Sequence, residues 1–260
     1  RATRAQEAPP PHVPATERIT GRQPTVLDKV DLTLNIDPEQ YDEQLELFQG
    51  QLRDLGWQAY QQKRSVVAVF EGWDAAGKGS AIRRVTRAID PRLFRLVQFA
   101  APTDEERAHH YLWRFWRQLQ RDGRCTFYDR SWYGRVLVER VEQYASPAEW
   151  LRAYNEINRF EKQLVEHGNI VLKFWIHISE DEQEKRFRSR EKAPHKQHKI
   201  TDEDWRNREK WHEYELAVDQ MVSHTSTAHA PWTLVSGNHK PYARIQILQT
   251  FCQAIGEALE

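Results

Sequence analysis

A glycine-rich segment, Gly72-Trp73-Asp74-Ala75-Ala76-Gly77-Lys78-Gly79-Ser80, constrains this chain more than any other feature. It follows an apolar run at 65–70 and precedes a helical pattern, so the predicted order is strand, glycine loop, helix. In that context the loop's N–H groups and the positive end of the helix attract a phosphate chain, and Lys78 adds a mobile cation. The candidate phosphate-binding residues of the loop are Gly72, Ala75, Ala76, Gly77, Lys78, Gly79 and Ser80.

The loop departs from the usual phosphate-binding pattern in two places. Gly79 follows the lysine, so the hydroxyl comes one position later, at Ser80. Asp74 lies inside the loop, where a carboxylate would repel phosphate unless a cation lay between them. We therefore interpret Asp74 as a ligand of Mg²⁺ that bridges to phosphate. The alternative is a glycine-rich turn that binds no ligand, which the flanking strand and helix disfavour.

Composition permits a large domain but does not select a partner. A chain of 260 residues that is 39% hydrophobic can form one large α/β domain with a sizeable core. Lys+Arg and Asp+Glu both number 38, so net charge indicates neither a nucleic acid nor a membrane surface. No apolar run has the length of a membrane span and no signal peptide is recognised, so we expect a cytoplasmic protein. Cys125 and Cys252 are expected to be buried thiols.

The first 25 residues predict a flexible linker, because Ala8-Pro9-Pro10-Pro11-His12-Val13-Pro14 cannot join a helix or a central strand. The chain opens on Arg1, so we expect it to be a piece of a longer polypeptide. A single domain is then expected over residues 26–260. A first helix is predicted to begin after Asp37 as its cap, with Pro38 in the first turn and Gln40 reaching back.

Strands and helices alternate along the rest of the chain. Continuous apolar runs predict strands that are buried on both faces of a parallel sheet, and right-handed crossovers place a site at their carboxyl ends. The predicted class is α/β, a P-loop kinase-like three-layer fold with about five strands and a helical lid. The strands are predicted at 65–70, 94–99, 125–129, 170–178 and 232–235, and the helices from Gly79, Thr103, Ser146, Ser179 and Thr201.

A second chemical motif lies in the segment 125–135, where an apolar strand ends in Asp129 and Arg130. An acid at the end of such a strand can hold Mg²⁺ directly or through water. Arg130 would point into the same cleft and bind a phosphate bidentately. The alternative is that Asp129 caps a helix and pairs with Arg130. The glycine loop upstream favours the metal interpretation, because the fold brings both strand ends together.

Cations crowd into the segment 185–212, which we interpret as a mobile lid over the transferring phosphoryl group. Arg190 and Arg208 are predicted to be catalytic and Arg186 to bind phosphate. The alternative is a solvated surface balanced by neighbouring acids. The cations of the segment are Lys185, Arg186, Arg188, Arg190, Lys192, His195, Lys196, His198, Lys199, Arg206, Arg208 and Lys210.

Two more basic stripes fit an extended polyanion. Arg83, Arg84 and Arg87 lie on the polar side of the helix that follows the glycine loop. Arg117 and Arg121 recur with His110 and Arg114 on one face of the helix predicted after Thr103. Stripes of this length suggest a polyanion along the surface, although solubility alone could explain each one.

The loop at 72–80 with its internal Asp74, the segment 127–135 followed by 138–141, and the Asp204–Arg208 stretch resemble the signatures of family-2 polyphosphate kinases. The resemblance covers about residue 26 to the end of the chain. Within the family, the chain most resembles the second half of the two-domain members that phosphorylate AMP. It implies an inorganic polyphosphate donor, a nucleotide acceptor, magnesium, and in-line transfer with no covalent enzyme intermediate.

On this resemblance Lys78 holds the phosphates being cleaved, Asp74 and Asp129 bind Mg²⁺, and Arg130 with the lid arginines stabilises the transition state. The acceptor is predicted to be AMP, and the protein a homo-oligomer that binds no nucleic acid. Alternatives are phosphorylation of nucleoside diphosphates, an ATP-dependent kinase similar to thymidylate kinase, and a non-catalytic polyanion-binding module. The candidates for contacting the base are Asn238, Lys240, Trp73, Trp132, Tyr133 and Trp205.

Overall fold

The computed structural model describes residues 24–194, 197 and 200–260. Its strands are β1 (Val66–Gly72), β2 (Phe94–Gln98), β3 (Cys125–Asp129), β4 (Ile170–His177) and β5 (Trp232–Ser236). Its α-helices are α1 (Pro38–Gln61), α2 (Lys78–Thr86), α3 (Asp104–Arg107), α4 (Trp113–Trp116), α5 (Val138–Val141), α6 (Pro147–Glu166), α7 (Glu180–Lys192), α8 (Asp202–Glu209), α9 (Trp211–Thr225) and α10 (Lys240–Leu259). Short 3-10 helices span Val26–Lys29, Pro91–Leu93 and Trp132–Val136.

The five strands form one parallel sheet in the order β2-β3-β1-β4-β5. β1 is central, and its Phe70 is paired with Asp129 of β3 and Phe174 of β4. All the strands therefore end at the same edge, and the glycine loop leaves that edge directly from β1. This arrangement confirms the predicted α/β class and the predicted five strands.

Helices cover both faces of the sheet. On one face Phe174 of β4 stacks on Phe251 of α10, with ring centroids 5.4 Å apart, and α1 and α2 pack beside α10. On the other face Lys173, the preceding residue of β4, makes a 2.7 Å ion pair with Glu161 of α6. Because successive side chains of a strand point to opposite faces, these neighbours mark the two outer layers of the predicted three. The buried thiols of Cys125 and Cys252 also match the prediction.

Two local predictions are wrong. The edge strand β2 exposes Arg95, Leu96 and Gln98, so it is not buried on both faces. The helix predicted from Thr103 to beyond Leu119 is two short helices, α3 and α4, with a turn between them. The second of these helices is tied to the sheet, because the carbonyl of Phe115 in α4 accepts a hydrogen bond of 2.7 Å from the Tyr128 hydroxyl of β3.

Two predicted helix caps differ in detail. Asp37 precedes α1 as predicted, yet its side chain makes no capping hydrogen bond. At the predicted helix start Ser179, the side chain accepts from the N–H of Glu182, while the Glu182 carboxylate binds Arg186. The predicted linker at 1–25 lies outside the described residues apart from Pro24 and Thr25, as do His195, Lys196, His198 and Lys199 of the lid. Over the described residues, no helix combines the length and apolar character that crossing a membrane requires.

Candidate active site

The glycine loop is shaped by close backbone packing at the end of β1. Gly72 has φ +148°, and a Cβ there would lie 2.6 Å from the carbonyl oxygen of Ile176 on β4, so a side chain does not fit. Gly77 has φ +115° and precedes the first turn of α2, while Ala75 is left-handed at φ 61°. Lys78 begins α2, and its ammonium donates to the carbonyls of Gly72 and Trp73 at 2.7 and 3.1 Å. The loop therefore presents the start of α2 to the cleft as predicted.

The second motif lies beside this loop. Arg130 directly follows Asp129, adopts a left-handed φ of 68°, and donates its N–H to the carbonyl of Phe70 at 3.3 Å. The next residue, Ser131, donates both its N–H and its hydroxyl to the buried carboxyl of Glu71, each at 2.8 Å. Desolvation raises the pKa of Glu71 despite these hydrogen bonds. Glu71 thus ties the end of β1 to the turn after β3, and the unusual backbone of Arg130 is held by its neighbours.

Asp74 and Asp129 line one cleft with Lys78 and Arg130. Asp129 accepts a hydrogen bond of 3.2 Å from Gln98, and Asp74 lies 3.6 Å from the Arg130 guanidinium. Among the described residues there is no cluster of three or more acids, histidines or cysteines that would enclose a metal. Two carboxylates beside a phosphate-binding loop still fit Mg²⁺, which commonly takes one or two carboxylates and completes its shell with substrate phosphates and water.

The charge of Arg130 is secured by its surroundings. Desolvation lowers the pKa of its guanidinium, but the carboxylates of Asp74, Glu71 and Asp129 outweigh it, and the net shift is upward. Arg130 therefore stays cationic and can neutralise phosphate oxygens in the cleft.

The cleft has a volume of about 1370 Å³ and extends well beyond the loop. It contains Arg83, which was predicted to bind phosphate, and Arg190, which was predicted to be catalytic. Lys240, which was suggested to contact the base, also lines the cleft. It lies over the glycine loop, because its Cγ is 3.9 Å from the position that a Cβ on Gly77 would occupy. Arg84 of the predicted basic stripe and Lys185 of the predicted lid line the cleft too, whereas Arg244 was not predicted from the sequence. Lys240 and Arg244 are four residues apart and therefore lie on one face of α10. This spacing is visible in the sequence, but it indicates the cleft only when α10 is known to pack against α2.

Arg186 is buried, and its role differs from the predicted phosphate contact. Its Nε donates to Glu182 at 2.7 Å, one terminal nitrogen donates to the carbonyls of Ala75 and Ala76, and the other to those of Gly237 and Asn238. These five hydrogen bonds use all five N–H groups of the guanidinium. Arg186 therefore fastens the glycine loop to the loop after β5, and no donor is left for phosphate.

Three other predicted cations lie outside the residues that line the cleft. Arg208 points back to α7, where it donates to the Glu180 carbonyl at 2.7 Å and pairs with Glu184. Arg117 stacks on Trp113, and Arg121 lies in the loop before β3, near the amino end of that strand. The predicted stripe assumed one continuous helix, and the break between α3 and α4 removes it.

The aromatic residues suggested for the base divide into two groups. Trp132 and Tyr133 are fully buried beneath the site, where both donate to the Glu161 carboxylate. Trp205 packs edge-on against Phe187 of α7. Trp73 alone among the four suggested aromatics borders a cavity beside the cleft. Asn238 is engaged with the backbone and side chain of Ser179, at 2.9 and 3.4 Å.

The family profile described as Polyphosphate kinase 2 matches residues 35–260, which include the loop, both acids and the lid. The chain belongs to the polyphosphate kinase 2 family. A curated relative in Pseudomonas aeruginosa, named Polyphosphate:AMP phosphotransferase, is 52% identical over 233 residues, covering 90% of this chain and 47% of the relative. A second in Rhizobium meliloti, named ADP-polyphosphate phosphotransferase 3, is 37% identical and is matched over 67% of its length.

The same family relationship is visible in three dimensions. A crystal structure titled as a putative polyphosphate kinase 2 from Pseudomonas aeruginosa superposes with a TM-score of 0.87 at 56% sequence identity, over 89% of this chain and 51% of the other. The predicted P-loop kinase-like fold is thereby confirmed. The chain spans about half the length of the polyphosphate:AMP phosphotransferases that it matches.

Proposed function

We propose that this chain transfers a phosphoryl group from inorganic polyphosphate to a nucleotide, with AMP as acceptor and ADP as product. The observation that carries the proposal is the convergence of Lys78, Arg130, Asp74 and Asp129 in one cleft of about 1370 Å³. Further cations line the same cleft, and an extended polyanionic donor would need them more than a nucleotide donor would. The name of the 52% identical relative supports the choice of AMP.

The chemistry required of the side chains is modest. A phosphate monoester acceptor is already ionised near pH 7, so no strong general base is needed, and catalysis rests on positioning and charge neutralisation. Lys78, the N–H groups at the start of α2 and Arg130 would hold the phosphates. Asp74 and Asp129 would hold Mg²⁺, which supplies positive charge between the phosphates when it is bound.

A diphosphate acceptor is the second candidate, because a 37% identical relative is named for ADP. The test is the initial rate with polyphosphate and either AMP or ADP, with products separated by chromatography. We expect faster conversion of AMP. A clear preference for ADP would move the chain to the diphosphate-phosphorylating group, and transfer from ATP but not from polyphosphate would contradict the proposed donor. The cytoplasmic location and the homo-oligomer remain predictions.

A further inference from the structure

The turn after β3 carries Arg130, and the backbone of this turn decides where the guanidinium lies. The side chain is 58% exposed, so packing alone does not fix it. Its φ of 68° is uncommon for a residue other than glycine, and such a conformation persists only where the surroundings hold it. The N–H of Arg130 donates to the Phe70 carbonyl at 3.3 Å, a long hydrogen bond that would not hold the turn by itself. The restraint must therefore come from the residues that follow.

The first restraint is Glu71, the penultimate residue of β1. Its carboxyl is buried, and one oxygen, Oε1, accepts from both the N–H and the hydroxyl of Ser131, each at 2.8 Å. The Ser131 hydroxyl oxygen in turn accepts from the N–H of Tyr133 at 3.3 Å. Glu71 thereby fixes the residue directly after Arg130 and, through it, the start of the 3-10 helix that follows.

The second restraint is Glu161 of α6, which is fully buried. Its Oε1 accepts from the indole N–H of Trp132 at 3.1 Å and from the Tyr133 hydroxyl at 2.7 Å, and both rings are fully buried as well. Its Oε2 accepts from the Lys173 ammonium at 2.7 Å, and that ammonium also donates to the Tyr133 hydroxyl at 2.9 Å. The charge of Glu161 is therefore compensated, and both of its oxygens are used.

Three consecutive residues, 131–133, are thus held by two buried carboxyl groups that come from different elements. Burying a carboxyl group is costly unless it is hydrogen-bonded, and well-packed apolar side chains could fill the same volume at a lower cost. What the carboxyl groups add to apolar packing is direction, because each hydrogen bond fixes an atom of the turn within a narrow range of distance and angle. Arg130 lies at the cleft end of this rigid turn.

We infer that Glu71 and Glu161 are positioning residues for Arg130: they hold residues 131–133 so that its guanidinium projects to the place in the cleft where the phosphates would bind. Neither carboxyl group needs to touch a substrate for this role. The inference rests on the proposed function for the role of Arg130, and it adds the two residues on which that role depends. Loosening the turn should therefore weaken phosphate binding only while Arg130 is present.

The test is a double-mutant cycle on the binding of tripolyphosphate, measured by calorimetric titration in the presence of Mg²⁺. Tyr133→Phe removes a hydroxyl from Glu161, and Ser131→Ala removes one from Glu71, and each is made in the wild type and in Arg130→Ala. In the wild type we expect each to weaken binding by roughly three- to tenfold, the usual effect of one lost hydrogen bond. In Arg130→Ala, which retains the other cations of the cleft, the same substitutions should change the affinity by less than about twofold.

Tyr128→Phe is the matched control for Tyr133→Phe. Tyr128 is equally buried, and its hydroxyl donates a hydrogen bond of the same 2.7 Å length, but to the Phe115 carbonyl of α4 and not to Glu161. The melting temperature of each variant shows how much stability the lost hydrogen bond supplied. Tyr128→Phe should be destabilised as Tyr133→Phe is, yet bind tripolyphosphate as the wild type does.

The inference is overturned if the wild type does not bind tripolyphosphate, if either Tyr133→Phe or Ser131→Ala binds it as the wild type does, if the losses are equal in the two backgrounds, or if Tyr128→Phe binds as weakly as Tyr133→Phe. The titration needs no phosphoryl transfer. Losses confined to the wild-type background, in a protein that transfers nothing from polyphosphate to AMP, would contradict the proposed function alone. Transfer by the wild type together with equal losses in both backgrounds would contradict the positioning role alone.

Discussion

Asn207 of α8 donates a hydrogen bond of 3.1 Å to Asp74 Oδ2, so the segment predicted as a lid touches the carboxylate inside the glycine loop. Gln183 of α7 donates to the carbonyl of the same aspartate at 3.1 Å, and the Arg130 guanidinium lies 3.6 Å from its other oxygen. Asp74 is therefore held from three elements at once. A displacement of the lid would change the orientation of a proposed magnesium ligand.

Asn207→Leu should lower kcat about tenfold with little change in the KM for polyphosphate, because it cuts the link between the lid and Asp74 while the basic cleft stays intact. Steady-state rates at saturating Mg²⁺ measure this. Asn158→Leu is the control, since Asn158 makes a comparable 2.9 Å hydrogen bond to the His224 carbonyl away from the cleft. Equal effects of the two substitutions would mean that general destabilisation, and not the lid contact, is responsible.

Asp74→Asn and Asp129→Asn should each lower the transfer rate by ~10²-fold or more, because each removes a charge from the proposed magnesium site and keeps the shape of the side chain. Rates over a Mg²⁺ titration and the melting temperature are the measurements. Asp104→Asn serves as control, because that aspartate is exposed on α3 and pairs only with Arg107 among its described contacts. Near-normal turnover of either variant at saturating Mg²⁺ would contradict the metal assignment.

Arg186→Lys should impair both stability and activity, because a lysine cannot replace five N–H donors that hold four backbone carbonyls and Glu182. Leaving several of these buried carbonyls without a donor should cost about 3 kcal/mol of folding free energy. Thermal unfolding and kcat/KM for polyphosphate are the readouts. On the same helix, Arg188→Lys changes an exposed ion pair with Glu184 and should have little effect. Wild-type stability of the Arg186 variant would refute the fastening role.

Polyphosphate binding should weaken as the pH rises through about 8, owing to Lys240. The pKa of this lysine is lowered from 10.5 to about 8, mainly by burial. The positive charges of Arg186, Arg190 and Arg244 lower it as well, and the carboxylate of Glu182 opposes them. The free enzyme therefore loses this positive charge at a pH at which ordinary lysines keep theirs. Because a polyanion favours the charged form, the KM for polyphosphate should rise between about pH 7 and 9.

Two substitutions at this position isolate the effect. Lys240→Arg keeps the charge and should flatten the rise in KM, whereas Lys240→Met should give a high KM at all pH values. The effect of the same lysine on folding stability runs the other way. Between about pH 8 and 10.5 the unfolded chain binds more protons at Lys240 than the folded chain does. The free energy of unfolding of the free protein should therefore increase over that window. A KM profile that is unchanged in both variants would rule out Lys240 as its origin.

Lys173→Met should destabilise the fold by about 3–5 kcal/mol, because it leaves the Glu161 carboxylate buried without its cation. The double variant Lys173→Met, Glu161→Leu should recover much of that loss. Urea unfolding monitored by circular dichroism measures both. A single variant as stable as wild type would show that the buried pair contributes no net stability and that Tyr133 and Trp132 alone satisfy Glu161.

Much of the architecture was predictable because local signals were strong. The apolar runs around Phe70 and Phe174 predicted the central strands, and the glycine loop predicted the strand-to-helix turn. The placement of Asp74 and Asp129 in one cleft also followed from sequence, since parallel strands end at one edge and bring such acids together. The exposure of the edge strand β2 and the break between α3 and α4 were not predictable, because they depend on neighbours distant along the chain.

For individual side chains the sequence determined chemical type, and the tertiary structure decided direction. Arg186, Arg190 and Arg208 look alike along the chain, yet one fastens the loop, one lines the cleft and one braces α7. Trp132 and Trp73 are equally aromatic, but one is buried under the site and the other borders a pocket. The physical reason is that a motif fixes which groups are present and how far apart they lie along the backbone. Whether a cation meets a substrate or a buried carbonyl depends on long-range packing, which has no counterpart in local spacing.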